Sequence, residues 1–153
     1  MKKAVIEYNP TDAVPFISSY EGCKLKAYKD AFGVWTIGYG HTKDVLPTDV
    51  ISQDQAIMLL YEDITTFHDE LISLVKVSIG PNQFIALMSF LYNFGLTKCK
   101  TYSLFEELNK KNYLQAARKF PDYRNPGSKI EHGLLKRRLA ELQLFLEDEV
   151  LTP

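Results

Sequence analysis

The stretch from Ile17 to Thr42, ISSYEGCKLKAYKDAFGVWTIGYGHT, contains the patterns that predict how the first part of this chain folds. Apolar residues around its start recur at helical spacing, which predicts a short helix from Pro15 to Gly22 with the glycine as its terminator. After Gly22, β-branched and aromatic residues are punctuated by glycines, a pattern typical of short, tightly turned antiparallel strands. We therefore expect a helix followed by a small sheet.

The same stretch places two carboxyl groups and one hydroxyl on neighbouring predicted elements. Glu21 falls on the last turn of the helix, where the partial negative charge of the helix C-terminus makes a carboxylate need a compensating partner. Asp30 falls in a turn between the strands and Thr36 within the second strand. One protonated and one ionised carboxyl can hydrolyse a glycosidic bond, and a nearby hydroxyl can hold the water. The spacing alone does not separate this hypothesis from surface carboxylates and a strand-packing threonine.

The run YEGCKLKAYKDAFGVWTIGYGHT, which holds Glu21, Asp30 and Thr36, closely resembles the active-site signature of the phage-type lysozymes. These are the endolysins of glycoside hydrolase family 24. The resemblance continues through the runs QFIALMSF, YNFG and GLLKRRLAE, and it covers roughly residues 14 to 147.

This resemblance implies a role for each site residue. Glu21 would be the general acid, Asp30 the ionised second carboxylate, and Thr36 the residue that positions the attacking water. Arg137 or Arg138 would reach Glu21, and the sequence does not choose between them. Whether the sugar configuration is inverted or retained depends on the separation of the carboxyl groups, although the family associates the threonine with an inverting route.

The family pattern also implies residues that contact the sugar chain, and one residue that supports the small lobe. The expected substrate contacts are Tyr92, Ser103, Thr42 and Lys119. Lys119 and Thr42 depart from residue types that relatives can carry at these positions, an uncharged amide and an apolar residue. His41 is expected to make structural hydrogen bonds in the small lobe rather than to act as a catalyst.

Length and composition limit the other possibilities. With 153 residues and 46% hydrophobic residues, the chain is long enough to bury a substantial core without metals or disulfides. The two cysteines, Cys23 and Cys99, lack metal-ligand spacing, and we interpret them as small hydrophobic residues rather than a disulfide. No metal or cofactor is expected, because side chains supply both chemical roles.

Charge is unevenly distributed along the chain. Residues 44–75 contain seven acidic residues and no Lys or Arg, whereas residues 96–138 contain eleven Lys and Arg against four Asp and Glu. Such a basic region attracts a polyanion, either the cell wall or a nucleic acid, although ordinary solvated helix faces explain it as well. No nucleic-acid recognition motif accompanies it.

The rest of the chain is predicted to be helical. A capping box at Ser52 and Gln55 begins a helix of about 23 residues. Its apolar stripe is Ile57, Leu60, Ile64, Phe67, Leu71 and Leu74, with His68 at its boundary. The next helix is expected to begin at Gly80-Pro81-Asn82 and to end at Gly95, with residues 84–94 apolar on nearly every face. It is followed by a helix over 102–108, another capped by Asn112 and stopped by Pro121, and a last helix over 131–148. In this last helix the apolar side is Leu135, Leu139, Leu142 and Leu146.

These elements predict an α+β, predominantly helical, lysozyme-like fold in one domain. A small mixed lobe with a short antiparallel sheet (14–46) is joined by a long helix (52–76) to an all-helical lobe (81–150). Residues 1–13 are expected to be an extension of modest order, and residues 43–51 a linker. A cleft between the lobes is the natural place for a polymer.

We therefore expect an endolysin muramidase that cleaves the β-1,4 bond between N-acetylmuramic acid and N-acetylglucosamine in bacterial peptidoglycan. It is expected to be a monomer without nucleic-acid partners. Because the apolar run at the N-terminus is too short for a signal peptide and no segment is long enough to span a bilayer, we expect a cytoplasmic stage and release by a holin. Lytic transglycosylation of the same glycan and a non-catalytic wall-binding role are the alternatives.

Overall fold

The computed structural model describes residues 1–150, with side chains through residue 149. Seven α-helices and two strands occur in this part of the chain, with the following bounds. They are α1 Val14–Glu21, β1 Lys24–Lys29, β2 Trp35–Gly38, α2 Gln53–Leu74, α3 Pro81–Phe94, α4 Leu96–Cys99, α5 Ser103–Asn109, α6 Tyr113–Lys119 and α7 Glu131–Val150. Single 3-10 turns lie at Val5–Glu7, Pro10–Ala13 and Phe120–Asp122. The predicted class, α+β and predominantly helical with a small antiparallel sheet, is confirmed.

The helix and hairpin of the first part form as predicted. Gly22 ends α1 with a φ of 64°, a conformation that favours glycine. The strands β1 and β2 pair antiparallel, with Tyr28 opposite Thr36. The predicted linker is not only a connection, because the backbone of residues 49–51 bonds to β1: Ala27 N donates to Asp49 O at 3.0 Å, and Ile51 N to Leu25 O at 2.9 Å.

The long helix α2 begins at the predicted capping box. The Ser52 side chain accepts a hydrogen bond from Gln55 N, and the Gln55 side chain accepts one from Ser52 N. Leu60, Ile64 and Leu71 of the predicted stripe are buried, but Ile57 is 39% exposed. The inward position on that turn is taken by Ala56, whose small side chain lets Gly38 of the hairpin approach the helix.

The helix α3 forms the centre of the protein, as its apolar sequence predicts. Every residue from Ala86 to Tyr92 is buried, and the helix packs along α7 and against α2. Phe90 lies at the middle of an aromatic cluster, where its ring lies close to those of five others, Phe94, Tyr102, Phe105, Phe120 and Tyr123. This core fixes α7 relative to the first helices.

The N-terminal residues are ordered, so the expected loose extension is wrong. Lys3 pairs with Ile79 through two backbone hydrogen bonds, and the Tyr8 hydroxyl donates to Ile79 O at 2.6 Å. Val5 is buried, and its carbonyl lies 3.0 Å from His68 Nε2. His68 is therefore a buried anchor of this segment rather than a boundary residue.

Two further expectations about helices need correction. Leu139 of the predicted apolar side of α7 is 48% exposed, and the buried side of that helix carries Arg137, Arg138, Glu141 and Phe145 instead. Leu142 and Leu146 of the predicted side do pack against the core, but paired charges occupy much of the buried face. The Asn112 side chain does not cap α6 and donates to Glu107 Oε2 at 2.9 Å. The short helix α4 was not predicted.

The division into two lobes at residues 14–46, 52–76 and 81–150 stays a prediction. The first helix packs on α2, α3 and the preceding 3-10 turn. Cys23 and Cys99 are both free thiols, and Cys99 is fully buried, which raises its pKa to about 12. Among the described residues, no helix combines the length and apolarity needed to cross a bilayer.

Replacing Gly80 with alanine should destabilise the fold. A Cβ added at Gly80 would lie 2.8 Å from the Cβ of Asp148, whose Oδ2 accepts a hydrogen bond from Gln83 N at the start of α3. Because the new methyl group must displace this capping carboxylate, we expect Gly80→Ala to lower the free energy of unfolding by about 1–2 kcal/mol in thermal or urea denaturation.

The matched control is Gly133→Ala in α7, where an added Cβ has nothing within 4 Å. This variant should be neutral or slightly more stable, because alanine favours a helix. Equal unfolding curves for the two variants would contradict the role of Asp148.

Candidate active site

Glu21 is the last residue of α1 and points toward the last helix. Its Oε2 accepts a hydrogen bond from Arg137 Nη1 at 3.1 Å, and its side chain is 17% exposed. The guanidinium charge offsets the unfavourable position of a carboxylate at a helix C-terminus. Of the two candidate arginines, the structure places Arg137 on Glu21.

A glycine allows the second oxygen of Glu21 to lie close to the backbone. A Cβ at Gly40 would be 3.3 Å from Glu21 Oε1 and 3.4 Å from Tyr92 Cε1, and the φ of Gly40 is 88°. The Tyr92 hydroxyl donates a hydrogen bond to Tyr39 O, which ties the segment after β2 to α3. A larger residue at this position would push on both the carboxylate and the ring.

Asp30 organises the turn between the strands. Its Oδ1 accepts hydrogen bonds from Phe32 N at 2.8 Å and Val34 N at 2.9 Å, and its own N–H donates to Val34 O. These bonds fix the carboxyl group relative to the strand ends. Thr36 is 3% exposed, and its hydroxyl donates to Val34 O at 2.8 Å. The lone pairs of this hydroxyl keep the capacity to accept a further bond.

Tyr28 lies opposite Thr36 in the small sheet. The two residues pair across the antiparallel strands, so their side chains share one face. The pKa of Tyr28 is raised above its ordinary value, first by burial and then by the negative charges of Glu21 and Asp30. Thr36 is thus the cross-strand neighbour of Tyr28, and the negative charges of Glu21 and Asp30 both act on this tyrosine.

Tyr92 lies behind Glu21 rather than on the open surface. Only 8% of it is exposed, and burial raises its pKa, with further contributions from the charges of Asp63 and Glu21. Its hydroxyl proton is already used by Tyr39 O. This geometry favours a supporting position for Tyr92.

Arg138 does not take the place next to Glu21. It is fully buried, and its Nε and Nη2 donate to the two oxygens of Glu141 at 2.6 and 2.8 Å. Burial raises the pKa of Glu141, and the positive charges of Arg138 and Arg137 oppose that shift. Our sequence reasoning missed Glu141 and Ser89. The RRLAE run, with opposite charges three apart on a helix, was the available signal.

His41 holds the end of the hairpin to α2. Its Nδ1 lies 2.8 Å from Asp63 Oδ2, and its Nε2 lies 2.9 Å from Lys43 O. Burial raises the pKa of Asp63, and the hydrogen bond from His41 acts in the opposite direction. Both ring nitrogens of His41 therefore have structural partners.

The other expected sugar contacts lie on different elements. Thr42 is exposed after the hairpin, Ser103 begins α5, and Lys119 ends α6. The Ser103 hydroxyl lies 3.4 Å from the hydroxyl of Tyr123, and both Ser103 and Lys119 are half-buried. Among residues 1–149, no three His, Cys, Asp or Glu side chains are arranged to hold a metal ion.

The site thus combines a carboxyl group held by an arginine, a second carboxyl group on a turn and a buried threonine hydroxyl. This set can donate a proton and hold a water molecule near an ionised carboxylate. Such a combination suits the hydrolysis of a glycosidic bond without a cofactor.

Comparison with known proteins identifies relatives over most of the chain. Residues 18–141 match the family model of phage lysozyme. The chain is 42% identical to an endolysin of Bacillus phage B103 over 89% of its own length, and 39% identical to an endolysin of Salmonella phage P22, with 82% of this chain and 89% of that protein covered. It spans about half (53%) of the Bacillus phage protein.

A solved structure has the same fold. The muramidase domain of SpmX from Asticaccaulis excentricus superposes with a TM-score of 0.77 at 29% identity, covering 92% of this chain and 95% of that one. The matched range spans the positions of Glu21, Asp30, Thr36 and the arginines of α7. This chain therefore belongs to the phage lysozyme family.

Proposed function

We propose that this protein is an endolysin muramidase that hydrolyses the β-1,4 bond between N-acetylmuramic acid and N-acetylglucosamine in peptidoglycan. The observation that carries this proposal is the ion pair of Glu21 with Arg137, which holds one carboxyl group of the stretch that also contains Asp30 and Thr36. Membership of the phage lysozyme family and the endolysin relatives support it.

Glu21 is the proposed general acid. Because Arg137 occupies Oε2, Oε1 is the oxygen that would carry the proton to the leaving glycosidic oxygen. A carboxyl group held in one orientation loses less freedom when the substrate arrives, which favours reaction. Because water completes the cleavage, one product gains a reducing end and the other a free hydroxyl group.

Asp30 and Thr36 are proposed to handle the water. Asp30 is held by its turn through Oδ1, and Thr36 offers hydroxyl lone pairs after donating to Val34 O. A water held by the hydroxyl would lose its proton to the ionised Asp30 as it attacks the sugar carbon. Asp30 would also stabilise the positive charge of the transition state.

The sugar-contact residues belong to the same proposal. Thr42, Ser103 and Lys119 have side chains at least partly open to solvent and stay candidates for substrate contacts. For Tyr92 the buried ring and the occupied hydroxyl favour support of Gly40 over direct sugar contact. His41 is proposed as a structural residue.

We propose peptidoglycan as the partner, with the wall as the site of action after a cytoplasmic stage and release through a holin. A monomer that binds no nucleic acid is the expected form. Exposed bases such as Lys100, Lys111 and Lys136 would attract the anionic peptides of the wall. The small lobe, connecting helix and helical lobe, at the boundaries predicted from the sequence, would enclose the glycan.

Glu21→Gln should abolish lysis while leaving the fold intact, because the amide keeps the shape of the side chain and cannot donate the acid proton. We expect the turbidity loss of purified peptidoglycan to slow at least about 100-fold. Mass spectrometry of the wild-type fragments should show reducing-end muropeptides. The control is Glu106→Gln, at an exposed position of α5, which should retain full activity.

An inert wild type would remove the catalytic proposal and leave a wall-binding role. Anhydro-muropeptides as the main product would instead indicate lytic transglycosylation. Equal activity of Glu21→Gln and wild type would contradict the assignment of the general acid.

Thr36→Val should lower kcat by about 100-fold or more, because it keeps the shape of the buried residue and removes the hydroxyl. Thr36→Ser should retain most of the activity, since serine still offers the oxygen. Comparing kcat for the two variants, with their circular dichroism as a check of folding, separates hydroxyl chemistry from strand packing. Similar kcat values for both would count against a water-positioning role.

Wall lysis should slow as ionic strength rises, because salt screens the attraction between the basic residues of 96–138 and the wall within about 10 Å at 0.1 M. We expect the rate of lysis to fall several-fold between about 0.05 and 0.5 M sodium chloride. Hydrolysis of a short wall glycan stripped of its peptides is the control and should change little. Salt-independent wall lysis would leave these bases as ordinary solvated residues.

A further inference from the structure

A buried network of charged and polar side chains lies beneath Glu21. Arg138 and Glu141 are fully buried, and Arg137 is 5% exposed. Buried charges persist only when they are paired and hydrogen-bonded, and no buried side-chain nitrogen or oxygen among the described residues lacks a partner. Because this network lies beneath the proposed acid, it can fix the positions of the groups that contact that acid.

The first part of the network fixes Glu141. Arg138 binds both carboxylate oxygens through Nε and Nη2, and its Nη1 donates to Asn93 Oδ1 at 2.9 Å. The rings of Phe90 and Phe94 cover the guanidinium at 5.0 and 4.6 Å from their centroids. Two-point binding of this kind is geometrically specific, so the carboxylate of Glu141 has one orientation.

The second part joins Glu141 to Arg137, chiefly through Ser89 and also directly, since Glu141 Oε2 lies 3.6 Å from Arg137 Nε. The Ser89 hydroxyl has a single proton, and Arg137 Nε can only donate. At 2.6 Å from Glu141 Oε2 and 3.2 Å from Arg137 Nε, the hydroxyl must therefore donate to Glu141 and accept from Arg137. Glu141 thus sets the direction of the hydroxyl that receives the arginine.

The guanidinium of Arg137 is held at three points. Nε donates to Ser89 Oγ, Nη2 donates to Ser89 O at 3.2 Å, and Nη1 donates to Glu21 Oε2. Because Ser89 fixes two donors of the planar guanidinium, Nη1 points in a defined direction. The position of the Glu21 carboxyl group follows from that direction.

We propose that Glu141 and Ser89 are positioning residues for the reaction. Glu141 orients the Ser89 hydroxyl, Ser89 orients Arg137, and Arg137 holds Oε2 of Glu21 so that Oε1 faces the glycosidic oxygen. The catalytic part of this inference rests on the proposed muramidase function. The link itself, from Glu141 through Ser89 and Arg137 to Glu21, is a property of the fold.

Ser89→Ala is the primary test, because it removes the two hydroxyl bonds and leaves the ion pair of Arg138 and Glu141 intact. We expect kcat for wall glycan to fall about 10- to 100-fold with KM nearly unchanged, since misplacement of the acid affects the reaction and not ground-state binding. Ser89→Thr restores the hydroxyl and should recover at least part of kcat.

Glu141→Gln is the second variant. The amide oxygen accepts hydrogen bonds, but the amide nitrogen only donates them. The Gln side chain therefore cannot accept from the Ser89 hydroxyl and from both donors of Arg138. We expect a loss of kcat at least as large as that of Ser89→Ala. If this variant fails to fold, the Ser89 variants still decide the matter.

Tyr8→Phe is the matched control for stability. It removes one partly buried hydrogen bond, from the Tyr8 hydroxyl to Ile79 O, just before α3 begins. It should lower Tm by an amount similar to that of Ser89→Ala and leave kcat unchanged. Equal loss of kcat in Tyr8→Phe and Ser89→Ala would overturn the positioning role.

A measurement independent of activity tests the link itself. In protein labelled with 15N-arginine, the Nε–H resonance of Arg137 is assigned by its disappearance in Arg137→Lys. We expect this resonance to shift on Glu21→Gln in the wild-type background and to shift by a different amount, with faster proton exchange, when Ser89→Ala is also present. An identical response in both backgrounds would overturn the link.

The two readouts separate the proposals. If the wild type lacks muramidase activity but its Arg137 Nε–H resonance responds to Glu21→Gln in a way that depends on Ser89, the proposed function is contradicted. The link from Ser89 to Glu21 is then retained. An active wild type whose kcat survives both Ser89→Ala and Glu141→Gln overturns the positioning role and keeps the proposed function.

Discussion

The ion pair between Glu21 and Arg137 is the contact on which the site depends. It joins the end of the first helix to the last one, across more than a hundred residues of chain. Removing one partner of a largely buried pair leaves an uncompensated charge, which costs about 3–5 kcal/mol in comparable cases. The pair therefore ties the geometry of the site to the completion of the whole fold.

The hairpin supplies the other half of the site through backbone constraints. Asp30 accepts two N–H groups of its own turn, so the residue that shapes the turn is also the candidate for water activation. Gly40 leaves room for Glu21 Oε1, and Tyr92 braces the adjoining backbone from α3. Side chains that build the local structure thus also set the distances at the site.

Much of the fold follows from local patterns in the sequence. The break at Gly22, the Ser52 capping box and the uniformly apolar run at 84–94 each determine their element by short-range chemistry, so these elements were predictable. The errors have a common cause. The order of residues 1–13, the burial of His68 and the charged inner face of α7 all depend on partners far away in the chain.

The candidate residues Glu21, Asp30 and Thr36 could be identified from the sequence, because the one continuous stretch that holds them resembles the phage lysozyme signature. The sequence also predicted that an arginine near residue 137 would be available. That Arg137 meets Glu21 while Arg138 turns inward to Glu141 follows from the packing of the folded chain. Adjacent residues on a helix point about 100° apart, so the packing of α7 on α3 assigns one arginine to the site and the other to the core.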